Sequence, residues 1–196
     1  MKRNPDSLLF DIDLDDLTYI QDAVGATEEQ LIASYNRALK RTAVTIRKLA
    51  RKHLKDELQL KNVKALRSRL KDYVIKQHGL TELKLWYGLN ALPVSAFKGR
   101  MSQGSAGASF APAGPSGRRH YKGSFVARMR NGKRSIWRRL SADRNHLTEE
   151  RVDVHKGLQE SVEDEVFDQL PDIFLAHLET DLKGRVKLGI SNNYSR

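Results

Sequence analysis

The chain has 196 residues, a formal charge of +11 and a sequence pI near 9.9, with 35 Lys and Arg against 24 Asp and Glu. That length fits one domain over residues 1–196, and the charge favours a polyanion or an acidic protein surface as partner without bearing on fold. With no cysteine, disulfides, thiolate nucleophiles and zinc–sulfur sites are excluded together, and no apolar run of about 18 residues is present to span a membrane.

The first residues are basic and then acidic, which does not read as a secretory signal. Leu8, Phe10, Ile12 and Leu14 alternate with Leu9, Asp11 and Asp13, a strand pattern. Asp15 or Asp16 then caps a short helix that runs through Val24 and stops at Gly25. Thr27 with Gln30 three residues on has the spacing of a capping box. From there Leu31, Tyr35, Ala38 or Leu39, Thr42, Ile46, Leu49 and His53 predict one long helix to about Lys55, its other faces bearing Arg37, Lys40, Arg41, Arg47, Lys48, Arg51, Lys52 and Lys55. Leu66, Leu70 and Val74 or Tyr73 predict a second helix over Val63–Gln77, closed by Gly79. Leu80–Tyr87 reads as a strand, and Leu92-Pro93-Val94 as extended chain.

From Gly99 to Gly123 the composition turns to Gly, Ser, Ala and Pro without periodicity, which predicts a flexible loop. Next comes a basic hairpin around Asn131-Gly132, two residues that tolerate the positive φ of a two-residue type I′ turn. A tight turn sets Arg130 opposite Lys133, Val126 opposite Trp137 and Ala127 opposite Ile136. Phe125, Ala127, Met129 and Ile136 then share one face. Arg128, Arg130 and Lys133 share the other with Val126 and Trp137. A strand follows around Arg151–His155. The closing helix carries Leu158, Val162, Val166, Leu170, Phe174, Leu178 and Leu182, with Pro171 to kink or divide it and residues 185–196 as a loose tail. The predicted fold class is α+β: a small antiparallel sheet with a basic hairpin, packed by long N-terminal helices and a Pro-kinked C-terminal helix.

The residues offer little catalytic chemistry. Asp11-x-Asp13-x-Asp15-Asp16 imitates the start of a calcium loop, but Asp16 stands where glycine is needed and Asp22 where the bidentate Glu belongs, so it reads as a solvated edge and cap. His53, His78, His120, His146, His155 and His177 form no i, i+4 metal pair, and none stands beside an evident nucleophile. The glycines from Gly104 to Gly117 precede a hairpin rather than a helix and make no phosphate fingerprint. Glu160, Glu163, Asp164 and Glu165 fall at a helix start, where the dipole favours them. No catalytic residue, metal or cofactor is assigned.

The candidate site is the basic cluster Arg118, Arg119, Lys122, Arg128, Arg130, Lys133, Arg134, Arg138 and Arg139, interleaved with Tyr121, Phe125 and Trp137. Such interleaving fits nucleic-acid binding or a protein interface held by charge complementarity. No sequence-reading motif accompanies it. The cations on the long helix read as a solvated face. Asn131, Gly132 and Pro171 are the structural positions.

In order along the chain, Asn36-Arg37-Ala38, Ala50-Arg51-Lys52, the basic run Lys61–Lys71, Leu92-Pro93-Val94, Gly123-Ser124-Phe125, Arg130-Asn131-Gly132-Lys133, Trp137, Arg139, Val152-Asp153-Val154 and Leu170-Pro171 resemble the minor tail protein Z family of lambdoid phages and prophages. The resemblance spans residues 30–183. The chain departs from that pattern in its longer acidic N-terminal segment and in the Gly/Ala/Ser character of its loop. The resemblance implies a non-enzymatic virion protein at the head-proximal end of the tail, made in the host cytoplasm and ring-forming, commonly a hexamer. Its implied partners are itself, tail terminator or tail tube proteins and head-completion or connector proteins, with double-stranded DNA in the channel and no membrane. The rival reading is a basic, non-specific nucleic-acid-binding protein of the ribosome-associated or nucleoid kind.

Overall fold

The side chains of Thr27 and Gln30 cap each other. The Gln30 N–H donates to Thr27 Oγ1 at 3.3 Å and the Thr27 N–H to Gln30 Oε1 at 3.0 Å. This satisfies two donors that a helix start leaves open, and it opens the 30-residue helix α2 (Glu28–Glu57). The structure, a computed structural model, describes residues 14–67, 70–77, 80–87, 91–114, 117–143, 146–154 and 157–190. The strand expected over Leu8–Leu14 and the acidic run from Asp11 to Asp13 lie outside these residues, except Leu14, which begins a helix.

The architecture is mixed α+β with small antiparallel sheets. The chain packs as two compact units, residues 1–50, 70–87 and 163–196 in the first and 51–69 and 88–162 in the second.

The first unit is mainly helical. Helix α1 (Leu14–Val24) stops at Gly25, whose φ is +63°. Leu17 on α1, Ala38 and Leu39 on α2, and Phe174 and Leu178 on a later helix form a buried cluster, with Ile20, Leu31, Tyr35 and Leu175 against it. Tyr35 meets Phe174 edge-on at 5.4 Å and 68°. The helix expected over Val63–Gln77 is not formed. Val63–Leu66 is a single 3₁₀ turn capped by Asn62, and β1 (Leu70–Gln77) pairs antiparallel with β2 (Leu80–Tyr87), Leu70 opposite Tyr87 and Gln77 opposite Leu80. A four-residue spacing is even, so Leu66, Leu70 and Val74 suit a period of two as well as 3.6, and the β-favouring run Tyr73-Val74-Ile75 decides it.

The second unit holds the other sheets. Strand β3 (Leu92–Pro93) later pairs with the last strand. β4 (Gly99–Gly104), β5 (Gly107–Pro112) and β6 (Arg119–Lys122) form one antiparallel sheet; β7 (Ser124–Arg128), β8 (Arg134–Arg139) and β9 (Leu147–Glu149) form another. β10 (Arg151–Val152) sets Val152 opposite Leu92, both buried. The segment 99–123, expected as a flexible loop, therefore contributes three strands. Ala108 and Phe110 are fully buried, and Phe97 stacks edge-on to Phe110 at 6.3 Å. Here glycine serves close approach: a Cβ on Gly107 would lie 2.2 Å from the Tyr121 carbonyl oxygen, and its φ of +149° bars other residues.

Beyond β10 the chain forms α3 (Gly157–Val166), a 3₁₀ turn over Phe167–Gln169 and α4 (Leu170–Leu188). Pro171 divides the closing helix as expected. It lies in the first turn of α4, where its missing N–H has no intrahelical acceptor to lose. All seven apolar residues read from Leu158 to Leu182 are buried. Residues 185–188 do not form a loose tail. They continue α4 to its stop at Gly189, and Arg185 is buried against Asp181, Nε to Oδ2 at 2.8 Å.

Candidate binding surface on the basic hairpin

Asn131 and Gly132 do turn the chain between β7 and β8, but the loop has three residues rather than two. The Met129 N–H donates to the Lys133 carbonyl at 2.9 Å and the Gly132 N–H to the Met129 carbonyl at 2.9 Å. Asn131 Oδ1 accepts from the Lys133 N–H at 3.0 Å. Gly132 alone in the loop has positive φ, +78°. This is a type I turn followed by a left-handed glycine, the usual three-residue hairpin connection.

One added loop residue moves the register by one, and that changes which residues share a face. Phe125 is opposite Trp137, Val126 opposite Ile136, Ala127 opposite Ser135 and Arg128 opposite Arg134. Val126, Arg128, Arg134, Ile136 and Arg138 therefore share one face with Ser124. Phe125, Ala127, Ser135, Trp137 and Arg139 share the other. The expected grouping of Phe125 with Ile136, and of Arg128 with Trp137, is overturned.

Two consecutive acids that the sequence reading passed over organise the cations. Consecutive strand residues point to opposite faces, so Glu149 and Glu150 serve one face each. Glu149 pairs with Lys133 and accepts from Ser135 Oγ at 2.6 Å and from the Ser95 N–H at 3.1 Å. Burial alone would push its carboxyl up, but the hydrogen bonds from Lys133, Ser135 and Ser95 outweigh it and hold the group below the usual carboxylate range. Glu150 accepts from Arg138 Nε at 2.6 Å and from Ser124 Oγ at 2.6 Å. On β6, Arg119 Nη1 lies 2.8 Å from Asp153 Oδ2.

The nine expected cations thus fall into two groups. Arg119, Lys133 and Arg138 are neutralised locally. Among the described residues, Arg118, Lys122, Arg128, Arg130, Arg134 and Arg139 carry no ion pair. Lys133 lies 5.8 Å above the Trp137 ring and Arg139 5.3 Å from the Phe125 ring, so the interleaved aromatics support cations of their own chain. Gln103 Oε1 on β4 accepts from the Val126 N–H at 2.8 Å and links the two sheets. Beside them is an open cleft of about 410 Å³ lined by Lys61, Gly99, Arg100, Met101 and Arg134. Lys61 and Arg100 were outside the cluster read from sequence, being 73 and 34 positions from Arg134 along the chain.

Four described histidines stand beside a hydroxyl, His53, His120, His146 and His177, and at His53 a carboxylate joins the pair. His53 Nε2 is 2.8 Å from Ser161 Oγ and 3.0 Å from Glu57 Oε2, while Ser161 Oγ donates to Glu57 Oε2 at 2.8 Å. A nucleophile-activating triad needs the acid on the ring nitrogen away from the serine. Here one nitrogen faces both, and the carboxylate takes the serine proton's direction, so the triangle ties α2 to α3. In the helical unit, His177 lies 3.3 Å from Thr45 Oγ1, and burial, aided by Arg41, holds it below the usual histidine range. His78 and His155 lie outside the described residues. Among the described residues no group of three His, Cys, Asp or Glu could hold a metal, and no helix is long and apolar enough to cross a membrane.

No protein-family model, curated protein or solved structure matches this chain.

Proposed function

We propose that this chain is a structural subunit of a phage tail at its head-proximal end, assembling as a homo-oligomeric ring, a hexamer by the resemblance, around the DNA channel. In this reading it completes the tail and joins it to head-completion or connector proteins on one side and to tail terminator or tail tube proteins on the other. The observation that supports it best is the basic hairpin. Gly123-Ser124-Phe125, Arg130-Asn131-Gly132-Lys133, Trp137 and Arg139, motifs of the resemblance, fall on one β7–β8 unit stapled by Glu149 and Glu150. A rigid sheet with some cations neutralised and others left for a partner suits a surface that recognises by charge and shape.

The same unpaired cations favour a second reading, a basic protein that binds nucleic acid without sequence preference. Native mass and electron microscopy of the purified protein beside tail tubes separate the two. Rings of about six copies that seat on tail ends support the neck. A monomer that ignores tails but binds duplex DNA puts the second reading in its place.

A further inference from the structure

We propose that Lys61, Arg100 and Arg134 form a binding site for a phosphate group. The three line one cleft with Gly99 and Met101, and no carboxylate shares the lining. All three are exposed. Elsewhere in this unit three cations are neutralised, Lys133 by Glu149, Arg138 by Glu150 and Arg119 by Asp153. Among the described residues Arg118, Lys122, Arg128, Arg130 and Arg139 are not, so what marks the cleft is that its cations line one recess. Arg100 and Arg134 have no acidic partner among the described residues, so converging like charges repel one another until an anion enters.

The frame of the cleft is fixed before any ligand arrives. The Lys61 N–H donates to the Ala96 carbonyl at 2.9 Å, and its ammonium to the Ser95 carbonyl at 3.0 Å, leaving two ammonium hydrogens for a ligand. Gly99, next to Arg100, has φ +154°, and a Cβ there would fall 2.4 Å from the Ala111 carbonyl oxygen and 2.8 Å from the Phe110 ring. The backbone that carries Arg100 therefore has one path. Arg134 opens β8 opposite Arg128.

Charge balance selects the ligand class. One carboxylate would leave two of the three cations uncompensated. A dianionic phosphate monoester leaves only one, successive phosphodiesters of a nucleic-acid backbone can offer each cation a charge, and either suits the planar fork of two guanidiniums, which bind paired phosphate oxygens. The site requires only these side chains and stands whether or not the chain is a neck subunit.

The test uses the full-length protein with the probes a fluorescent 12-base-pair duplex, inorganic phosphate and polyglutamate of matched charge. Each phosphate contact adds about 0.9 to the slope of log affinity against log salt. The variant K61Q/R100Q/R134Q should therefore bind the duplex about tenfold or more weakly at low salt, with a slope shallower by about 2 to 3. The control R118Q/K122Q, whose cations lie outside the cleft, should keep the parent's affinity more closely, and both variants should melt with the parent. Loss of duplex binding identifies a backbone phosphodiester as the ligand. Saturable inorganic phosphate binding lost in the cleft variant, with duplex binding unchanged, identifies a free phosphate. Equal affinity of parent and cleft variant for both phosphate probes overturns the site, as does polyglutamate competing as well as phosphate.

Discussion

Lys133 pairs with Glu149 at the loop end of the basic hairpin, from the residue just before β8 to the last residue of β9. The same carboxylate accepts from Ser135 Oγ and from the Ser95 N–H. A single side chain, 12% exposed, therefore ties the loop end of the hairpin, the third strand of its sheet and the turn after β3. Glu150, facing the other way, does the same for Arg138 and Ser124. The hairpin is a framed display of charge, and the frame can be tested apart from the charge.

Glu149 should make the stability of the sheet unit depend on acid. Its folded pKa is lowered, so the stability it contributes is complete above the unfolded carboxylate's pKa and is lost as pH falls through the lower folded value. Glu149→Gln should cost about 1–3 kcal/mol at pH 7, by leaving Lys133 without its acceptor charge. The gap between parent and variant should narrow below the ordinary carboxylate range. Urea unfolding followed by Trp137 fluorescence at several pH values measures it, and a gap as wide in strong acid as at pH 7 would sink the assignment.

Gly132→Val should destabilise the hairpin by about 1–2 kcal/mol, the cost of placing an L-residue in the left-handed region. A Cβ there meets nothing within 4 Å, so the cost is one of dihedral angle and not of collision. Gly132→Asn should recover part of it, because asparagine visits that region more readily. Thermal melts of the three proteins decide. A valine variant that melts with the parent would mean the loop does not need glycine.

Much of the helical architecture was legible in the sequence, because a long helix states its period many times. Thr27 with Gln30 marked the start of α2, and the four-residue recurrence from Leu158 to Leu182 named seven buried positions. The errors came where a short pattern fits two periods or where glycine has two uses. Leu66, Leu70 and Val74 suit a helix and a strand alike. Gly99 and Gly107 look like flexibility in composition, yet they serve positions where backbone approaches backbone too closely for a side chain. At the hairpin, Asn-Gly announced the turn but not its length, and one residue of loop moved every side chain of one strand to a different neighbour. The positive cluster was visible. Which of its members are neutralised was not, since that depends on Glu149, Glu150 and Asp153 returning from later in the chain.

Ser161→Ala should lower stability by about 1 kcal/mol through loss of its hydrogen bonds between α3 and α2. His53 and Glu57 would then face each other directly at 3.0 Å, so Ser161→Ala combined with Glu57→Gln should cost less than the sum of the two single changes. Hydrolysis of an activated ester is the control. A rate in the parent that Ser161→Ala abolishes would show that the triangle activates a nucleophile, and the reading as a tie between helices would fail.

Reversal of Arg128 and Arg130 to Glu separates display from frame. Both are exposed, and neither is held by an acid among the described residues; Arg128 has only a long contact, 3.5 Å, to the Gly132 carbonyl. Lys133 is left unchanged because reversing it would set two carboxylates against each other at Glu149. The double variant should melt within about 0.5 kcal/mol of the parent and oligomerise as the parent does if the ring interface lies elsewhere. If the hairpin meets an acidic neck protein or DNA, like charge there is repulsive, and in vitro joining of filled heads to tails should fall by about tenfold or more. Arg134 is unchanged, but a carboxylate at position 128 stands directly opposite it and would weaken the phosphate cleft as well, so duplex binding is read on Arg128→Gln with Arg130→Gln, which brings no acid there. Joining at the parent's rate with well-folded protein would assign Arg128 and Arg130 to a solvated face, and the charge-recognition role would then have to leave the hairpin tip.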